Sequence, residues 1–219
     1  MNCIKCSFRN LSATATAIII KEGKILLVRR SENPYKGEWD FVGGFLEENE
    51  TPIEALKREV REELGVSCRA DYIRAFPGIY PWNGEEYPIL SHVFLVELEG
   101  DIKLNHENSE LEFVPLEKVT SVCFDSNQRI LHYVQEHFSF DLQRVHELMH
   151  QLDPNMELNE HYLYAAALNG FVSRKYDGDI LIGLGWIFPR QTMVRRQAVV
   201  EDMIIDSAYR GRGLGREIL

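Results

Sequence analysis

Apolar positions along the chain fall into runs of two lengths. "ATATAIII" and "ILLVRR" are nearly continuous apolar stretches, and "KEGK" between them holds a glycine turn, so the pattern predicts a hairpin. A loop-rich segment follows, "SENPYKGEWDFVGGFLEENE", with one short apolar core. Next comes helical spacing, with Ile53, Leu56, Val60 and Leu64 on one face. Thr51 suits the N-cap and Pro52 the first helical position. Glu54 completes a capping box, and Gly65 is the stop. "YIRAFPGIYPW", a turn at Asn83-Gly84 and "YPILSHVFLVELEG" predict a second, long hairpin. "LEFVPL" reads as a strand, and "NQRILHYVQEHF" as a helix through Ile130, Val134 and Phe138.

Near residue 140 the pattern changes. Two further helical stretches, "DLQRVHELMHQL" and "EHYLYAAAL", precede three strand-like runs: "GFVSRKY", "ILIGLGWIF" and "AVVEDMIID". The reading is a tail over 1–11, one domain over 12–139 and a second over 140–219. A chain of 219 residues has room for two such domains, and 45% hydrophobic residues suffice for packed cores. The net charge of −10 speaks against DNA or RNA as a partner, because a polyanion is repelled by such a surface. No run of eighteen apolar residues occurs, and "MNCIKCSFRN" lacks the apolar core of a secretory signal. No membrane association is therefore expected, and the cytoplasm is the expected location.

The densest chemistry lies in "GFLEENETPIEALKREVREELGV". Glu59, Glu62 and Glu63 fall at i, i+3 and i+4, beside the apolar face of the helix. Like charges at that spacing cost roughly 0.2–0.5 kcal/mol per pair unless a cation lies between them. An all-oxygen donor set of this kind suits Mg²⁺ or Mn²⁺ and not zinc. A solvated acidic helix face is the plain alternative on spacing alone.

The wider pattern is more specific. Gly44, Glu50, Arg58, Glu59, Val60, Glu62, Glu63, Gly65 and Val66 match every fixed position of the Nudix box, nine constraints over 23 residues. The chain thus resembles the Nudix hydrolases. "AIIIKEGKILLVRR" is similar to the family's opening hairpin, "GEWDFVGGFLEENET" to its approach to the box, and "HENSELEFVPLEKV" to its last strand. Val42 departs from the pattern, standing where the family often has proline.

The resemblance implies an α/β fold, a Nudix-type α/β/α sandwich with a mixed sheet. It implies hydrolysis of a pyrophosphate bond in a nucleoside diphosphate linked to another group, with Mg²⁺ or Mn²⁺ as cofactor and a small nucleotide as the substrate. Glu59, Glu62 and Glu63 would hold metal together with the carbonyl of Gly43. The general base would be Glu62, Glu63 or a loop carboxylate, Glu107 or Glu110, of which Glu110 is carried forward. Arg29, Trp39 and Arg58 are the expected substrate contacts, although Arg58 with Glu50 also reads as an ion pair that orients the helix. Arg30 beside Arg29 is likewise placed to clamp a phosphate. Pro81, in "YPW" beyond the box, leans toward the ADP-ribose or nucleotide-sugar type of substrate. A nucleotide-sensing module is the competing reading, although such modules typically lose box glutamates. A homodimer is compatible with either.

"AVVEDMIIDSAYRGRGLGREIL" resembles motif A of the GNAT acetyltransferases, in which a strand runs into R/Q-x-x-G-x-G/A and a helix. Preceded by two helices and three strands, it implies the N-terminal half of a GNAT-like α+β domain. Arg210, Gly211, Arg212, Gly213 and Gly215 would form the pyrophosphate cradle of coenzyme A, and Glu201 and Asp202 are candidate bases. Because the chain ends four residues after Gly215, the expectation is that acetyl transfer is incomplete here. A longer, bifunctional protein using acetyl-CoA is the alternative.

Two motifs imply less. Cys3 and Cys6 make half of a zinc knuckle, and Cys68 and Cys123 supply no second C-x-x-C, so zinc is not expected there. "HELMH" matches H-E-x-x-H, but no third ligand pattern follows, and Leu148 and Met149 fit an ordinary apolar helix face.

Overall fold

The computed structural model describes residues 11–103 and 107–218. Cys3 and Cys6 lie outside the described residues. The chain divides into two compact units, Met1–His137 and Phe138–Leu219.

The first unit contains β1 (Ser12–Ile18), β2 (Ile20–Lys21), β3 (Lys24–Arg30), β4 (Trp39–Asp40), β5 (Val42–Phe45) and α1 (Pro52–Leu64). Then follow β6 (Ser67–Trp82), β7 (Glu85–Glu99), β8 (Asn108–Pro115) and α2 (Asp125–Phe138). One sheet has the order β5-β1-β7-β6 and is mixed, because β1 runs parallel to β7 and antiparallel to β5. The second is β2-β3-β4, with β8 pairing β3. The long β6–β7 hairpin forms as its sequence predicts, closed by Asn83 and Gly84 at φ 50° and 79°. The opening hairpin differs from expectation: it is confined to Ile19, Ile20 and Lys21 against β3, while β1 joins the other sheet. An unbroken apolar run hides this, since it carries no mark of where the strand changes sheets.

Alternation along β1 positions the site. Ala15 and Ala17 are buried in the core with Leu56, Val60 and Leu64 of α1, while Thr14 and Thr16 face the opposite side. The capping box of α1 forms, with the Thr51 amide donating to Glu54 Oε2 at 2.9 Å, and Gly65 ends the helix at φ 70°. Ile53 does not join the apolar face. It is 38% exposed, and Ala55 takes its place among the fully buried residues.

The second unit contains α3 (Leu142–Leu152), α4 (Glu160–Asn169), β9 (Phe171–Asp177), β10 (Ile180–Gln191), β11 (Arg196–Ile205) and the single turn α5 (Gly215–Ile218). Its sheet is antiparallel, in the order β11-β10-β9. Val145, Leu148, Met149, Leu181, Leu184 and Ile204 form its core. In "HELMH", Leu148 and Met149 therefore pack inward, and His150 Nε2 lies 2.8 Å from the Met156 carbonyl. Among the described residues no helix is long and apolar enough to cross a membrane.

Candidate active site

The Gly43-Gly44 pair wedges β5 between β1 and α1. A Cβ on Gly43, whose φ is 150°, would stand 2.2 Å from the Ala15 carbonyl oxygen. A Cβ on Gly44 would stand 2.1 Å from Glu59 Oε1. Only glycine lets the strand approach both neighbours. This closeness brings the Gly43 amide to Glu63, whose Oε1 accepts from it at 2.8 Å. Glu63 Oε2 accepts from Asn108 Nδ2 at the start of β8.

Arg58 holds the other box carboxylates. Its Nε and Nη2 donate to the two Glu50 oxygens, each at 3.0 Å, and Nη2 also reaches the Phe45 carbonyl at 2.9 Å. Its Nη1 donates to Glu59 Oε1 at 2.7 Å and to Glu62 Oε2 at 3.1 Å. Arg58 thus donates to three carboxylates and is also in the wall of the cavity described next, so the ion-pair and contact readings coincide in one side chain.

A cavity of about 370 Å³ opens over this arrangement. Its wall holds Glu59, Glu62 and Glu107, with Gly43, Gly44 and Arg58. The wall is also aromatic: Tyr80 lies edge-on to Phe45 and stacks with Phe124, at centroid distances of 5.0 and 5.2 Å. Asp40, Asn127, Thr14 and Ser91 line it as well. A smaller space of about 190 Å³ continues over Glu63, Glu107 and Asn108.

Burial sets the protonation of these groups. Loss of solvent pushes Glu63 up to about 8, against the downward pull of the Gly43 amide and Asn108, with Glu59 and Glu107 adding to the rise. Glu59 is raised by the same cause, opposed by Arg58. Asp40, 4% exposed, is pushed by burial up to about 6, although Arg30, Asn127 and the Phe41 amide all favour its charged form.

Asp40 makes a pH prediction. Its folded pKa lies above the ordinary 3.8, so between pH 4 and 6 the native state holds the extra proton, and stability falls as pH rises through this window. The penalty reaches about 3 kcal/mol above pH 6. Asp40→Asn removes it. The unfolding free energy of the variant minus that of the wild type is therefore expected to grow by that order from pH 4 to pH 7 in urea titrations. A flat difference contradicts the burial argument.

Of the other expected residues, Arg30 lines the cavity, whereas Arg29, Trp39 and Glu110 lie apart from it. Arg29 Nε pairs with Glu110 at 3.0 Å, and its guanidinium lies 4.5 Å from the Trp39 ring centre. These three are absent from the walls of the carboxylate cavity, and Trp39 instead lines a neighbouring space with Tyr35, Cys123 and Phe124. Of the two loop carboxylates, Glu107 reaches the cavity and Glu110 does not. In "YPW", Tyr80 reaches it, while Pro81 sits in the β6–β7 ladder opposite Glu86. Asp40, Asn108, Phe124 and Asn127 were not legible as site residues. Asp40 sits beside the recognised Trp39, but no spacing rule joins it to Asn127, 87 positions away.

Does the donor set suit a divalent cation? Glu59, Glu62 and Glu63 offer hard oxygen donors, and two of them are buried, where a cation would favour the charged form that burial opposes. The chemistry fits Mg²⁺ or Mn²⁺. The arrangement as it stands spends these oxygens elsewhere, on Arg58, Gly43 and Asn108. Among the described residues no group of three acidic, histidine or cysteine side chains converges as metal ligands.

In the second unit the segment expected to cradle coenzyme A is a chain of turns. Arg210 Nε donates to the Ile205 carbonyl at 2.8 Å, and Arg212 donates to Ala208 at 3.3 Å. Gly211 and Gly213 take φ of 78° and 80°, and Gly215 opens the single turn α5.

Comparison with known proteins agrees with this anatomy. The family model of the GNAT acetyltransferases matches residues 131–219. An ADP-ribose pyrophosphatase of Methanocaldococcus jannaschii is 34% identical over 121 residues, covering 54% of this chain and 70% of the relative. A CTP pyrophosphohydrolase of Escherichia coli is 49% identical over 53 residues, but these are 24% of this chain and only 39% of that protein. The crystal structure of a MutT NUDIX hydrolase from Burkholderia pseudomallei superposes with a TM-score of 0.52 at 25% identity, over 57% of this chain and 99% of that one. The NUDIX domain model matches residues 10–136, more than half of the chain, and with its glutamate-bearing helix set against the double glycine, this chain belongs to the Nudix hydrolase family.

Proposed function

We propose that the first unit is a divalent-cation-dependent pyrophosphohydrolase that cleaves a nucleoside diphosphate linked to a second group, of the ADP-ribose or nucleotide-sugar type. One observation carries the reading: a single cavity is lined both by box carboxylates and by the Phe45–Tyr80–Phe124 aromatic group. A nucleotide asks for both, with a flat base suited to aromatic walls and a polyanion that needs cations. Support for the substrate type comes from the relative named as an ADP-ribose pyrophosphatase.

In this reading Glu59, Glu62 and Glu63 hold the cation, with the Gly43 carbonyl beside them. A divalent cation, when bound, neutralises phosphate charge and lowers the pKa of water. Glu62 serves as the general base, since its side chain is half exposed at the cavity wall, where water can reach the carboxylate beside its contact with Arg58. Glu107 lines the same cavity, in place of Glu110. Arg58 orients the helix and balances its charge. Asp40 and Asn127 lie within reach of the nucleoside.

The test is a substrate panel with Mg²⁺: ADP-ribose, nucleotide sugars, dinucleoside polyphosphates and nucleoside triphosphates, scored by the products released. Cleavage of the first two to a nucleoside monophosphate and a sugar phosphate is expected. Release of pyrophosphate from CTP as the dominant reaction would replace the substrate assignment and keep the family chemistry. No turnover of any member would favour a nucleotide-binding module.

A further inference from the structure

The turn between β10 and β11 carries two apolar side chains at its apex, Met193 and Val194, which are 105% and 93% exposed. Thr192 closes that turn. Its amide donates to the Arg195 carbonyl at 2.8 Å, and its hydroxyl accepts from the Arg195 amide at 3.1 Å. A hydrogen-bonded turn thus holds methionine and valine outward, where glycine, proline or a small polar residue is the ordinary choice. Burial against another surface is favourable for both.

The charge around them is as unusual for this chain. Acidic residues outnumber lysine and arginine by 34 to 24, yet none occurs from Ile180 to Val200, where Arg190, Arg195 and Arg196 lie. Among the described residues none of these arginines forms an ion pair, and Arg196 Nε donates to Gln191 Oε1 at 2.7 Å. Strand pairing distributes them. Arg190 lies opposite Gln197 and Arg196 opposite Gln191, on successive rungs of the ladder. Successive rungs point to opposite faces, so Arg190 and Arg196 flank the hairpin on its two sides, with Arg195 in the turn.

The tip also stands clear of its own sheet. β9 pairs with β10 only as far as Ile187, while β10 and β11 pair on through Gln191 and Arg196. At about 3.3 Å per residue, the rungs from Phe188 to Gln191 carry the turn roughly 13 Å past the three-stranded part. That exceeds the Debye length of about 8 Å at physiological salt, so acidic groups of that sheet are largely screened from the tip.

A groove in a folded partner meets one face of a hairpin, whereas a flat surface approached end-on meets both faces at once. An apolar apex with positive charge on both sides fits the boundary of an anionic bilayer. There the apolar side chains enter the acyl layer, and arginine stems lie along it with their heads at the phosphates. We propose that the β10–β11 tip docks the second unit on an anionic phospholipid surface, with Met193 and Val194 inserted and Arg190, Arg195 and Arg196 at the headgroups. Such a contact needs no spanning segment. The expectation of no membrane association rested on the lack of a long apolar run and of a leader, and a hairpin tip leaves neither mark. The inference is independent of nucleotide hydrolysis in the first unit.

Flotation of the 219-residue chain with lipid vesicles tests it. At roughly 0.1 M salt the chain is expected to float with vesicles of phosphatidylcholine and phosphatidylserine in equal parts, and not with phosphatidylcholine alone. Raising the salt to roughly 0.5 M should release it. Each basic residue at an anionic leaflet strengthens binding roughly fivefold, so Arg190→Gln/Arg195→Gln/Arg196→Gln is expected to lower the partition coefficient about a hundredfold. Met193→Ser/Val194→Ser is expected to lower it by at least roughly tenfold. All five side chains are exposed, so thermal unfolding of both variants should match the wild type. Val194→Trp reports insertion: after subtraction of the wild-type spectrum, its emission is expected to shift to shorter wavelength on mixed vesicles. Soluble polyglutamate, at equal charge concentration, is expected to leave the chain on the vesicles. The proposal is overturned by failure to float with mixed vesicles, by equal flotation with phosphatidylcholine alone, or by undiminished flotation of either folded multiple variant. An unshifted Val194→Trp spectrum also overturns it, as does displacement by polyglutamate, which would make the tip a site for an acidic protein.

Discussion

Glu62→Gln is expected to lower turnover by roughly two to four orders of magnitude, the usual range for loss of a general base. In activation free energy this is about 3–5 kcal/mol. The side chain is half exposed, and among the described residues it accepts one hydrogen bond, from Arg58 Nη1 at 3.1 Å. Glutamine has the same shape and keeps an oxygen for that donor. The fold should therefore be unaffected, and KM should move much less than kcat. Initial rates and a urea titration on the same preparation separate the two effects. Unchanged turnover at unchanged stability would remove Glu62 from the chemistry, and with it the reading of the acidic face as catalytic machinery. Glu63→Gln is a poorer probe, because both Glu63 oxygens accept from donors, and an amide would turn an N–H toward Gly43 or Asn108.

The contrast between Glu62 and Glu110 shows what a sequence carries. The box is legible because its members lie on one helix, where spacing fixes geometry: i, i+3 and i+4 must share a side. Its glycines are legible only as part of the family pattern, and the close approach they permit, to Ala15 and Glu59, appears only in three dimensions. A loop obeys no such period. Glu107 and Glu110 are equivalent on paper, and the pairing of Arg29 with Glu110 separates them only in three dimensions. Asp40 and Asn127 meet at 2.6 Å across 87 positions, a contact that depends on the placement of α2 and has no local signature. The same limit governed the first strand. The alternation that would have revealed its two faces consists of Thr14 and Thr16 against Ala15 and Ala17, residues too similar in polarity to read as inside and outside. In the second unit the order of helices and strands was legible from period alone, but the bulge at Asp202 was not, because one extra residue in a strand leaves the composition unchanged.

Arg58→Ala tests whether the acidic face is built for a cation. Removing the guanidinium strips Glu59, which is only 8% exposed, of its counter-ion, and also frees Glu50 and the Phe45 carbonyl. Breaking a buried pair from one side costs about 3–5 kcal/mol, and the partial exposure of Arg58 reduces the expectation to roughly 2–4 kcal/mol. Arg58→Lys should recover only part of the loss, since one ammonium cannot serve Glu50 bidentately and reach Glu59, Glu62 and Phe45 together. The informative comparison adds Mg²⁺. A ligand that binds the native state stabilises it in proportion to its affinity. In the wild type the cation must compete with Arg58 for Glu59 and Glu62, and in the alanine variant it need not. The variant is therefore expected to gain more unfolding free energy from millimolar Mg²⁺ than the wild type gains, so that the deficit narrows. Ca²⁺-free urea titrations with and without Mg²⁺ measure both gains. Equal gains would mean that Arg58 and the cation do not share carboxylates, leaving Arg58 as a brace for the helix and moving the cation to Glu63 and Glu107.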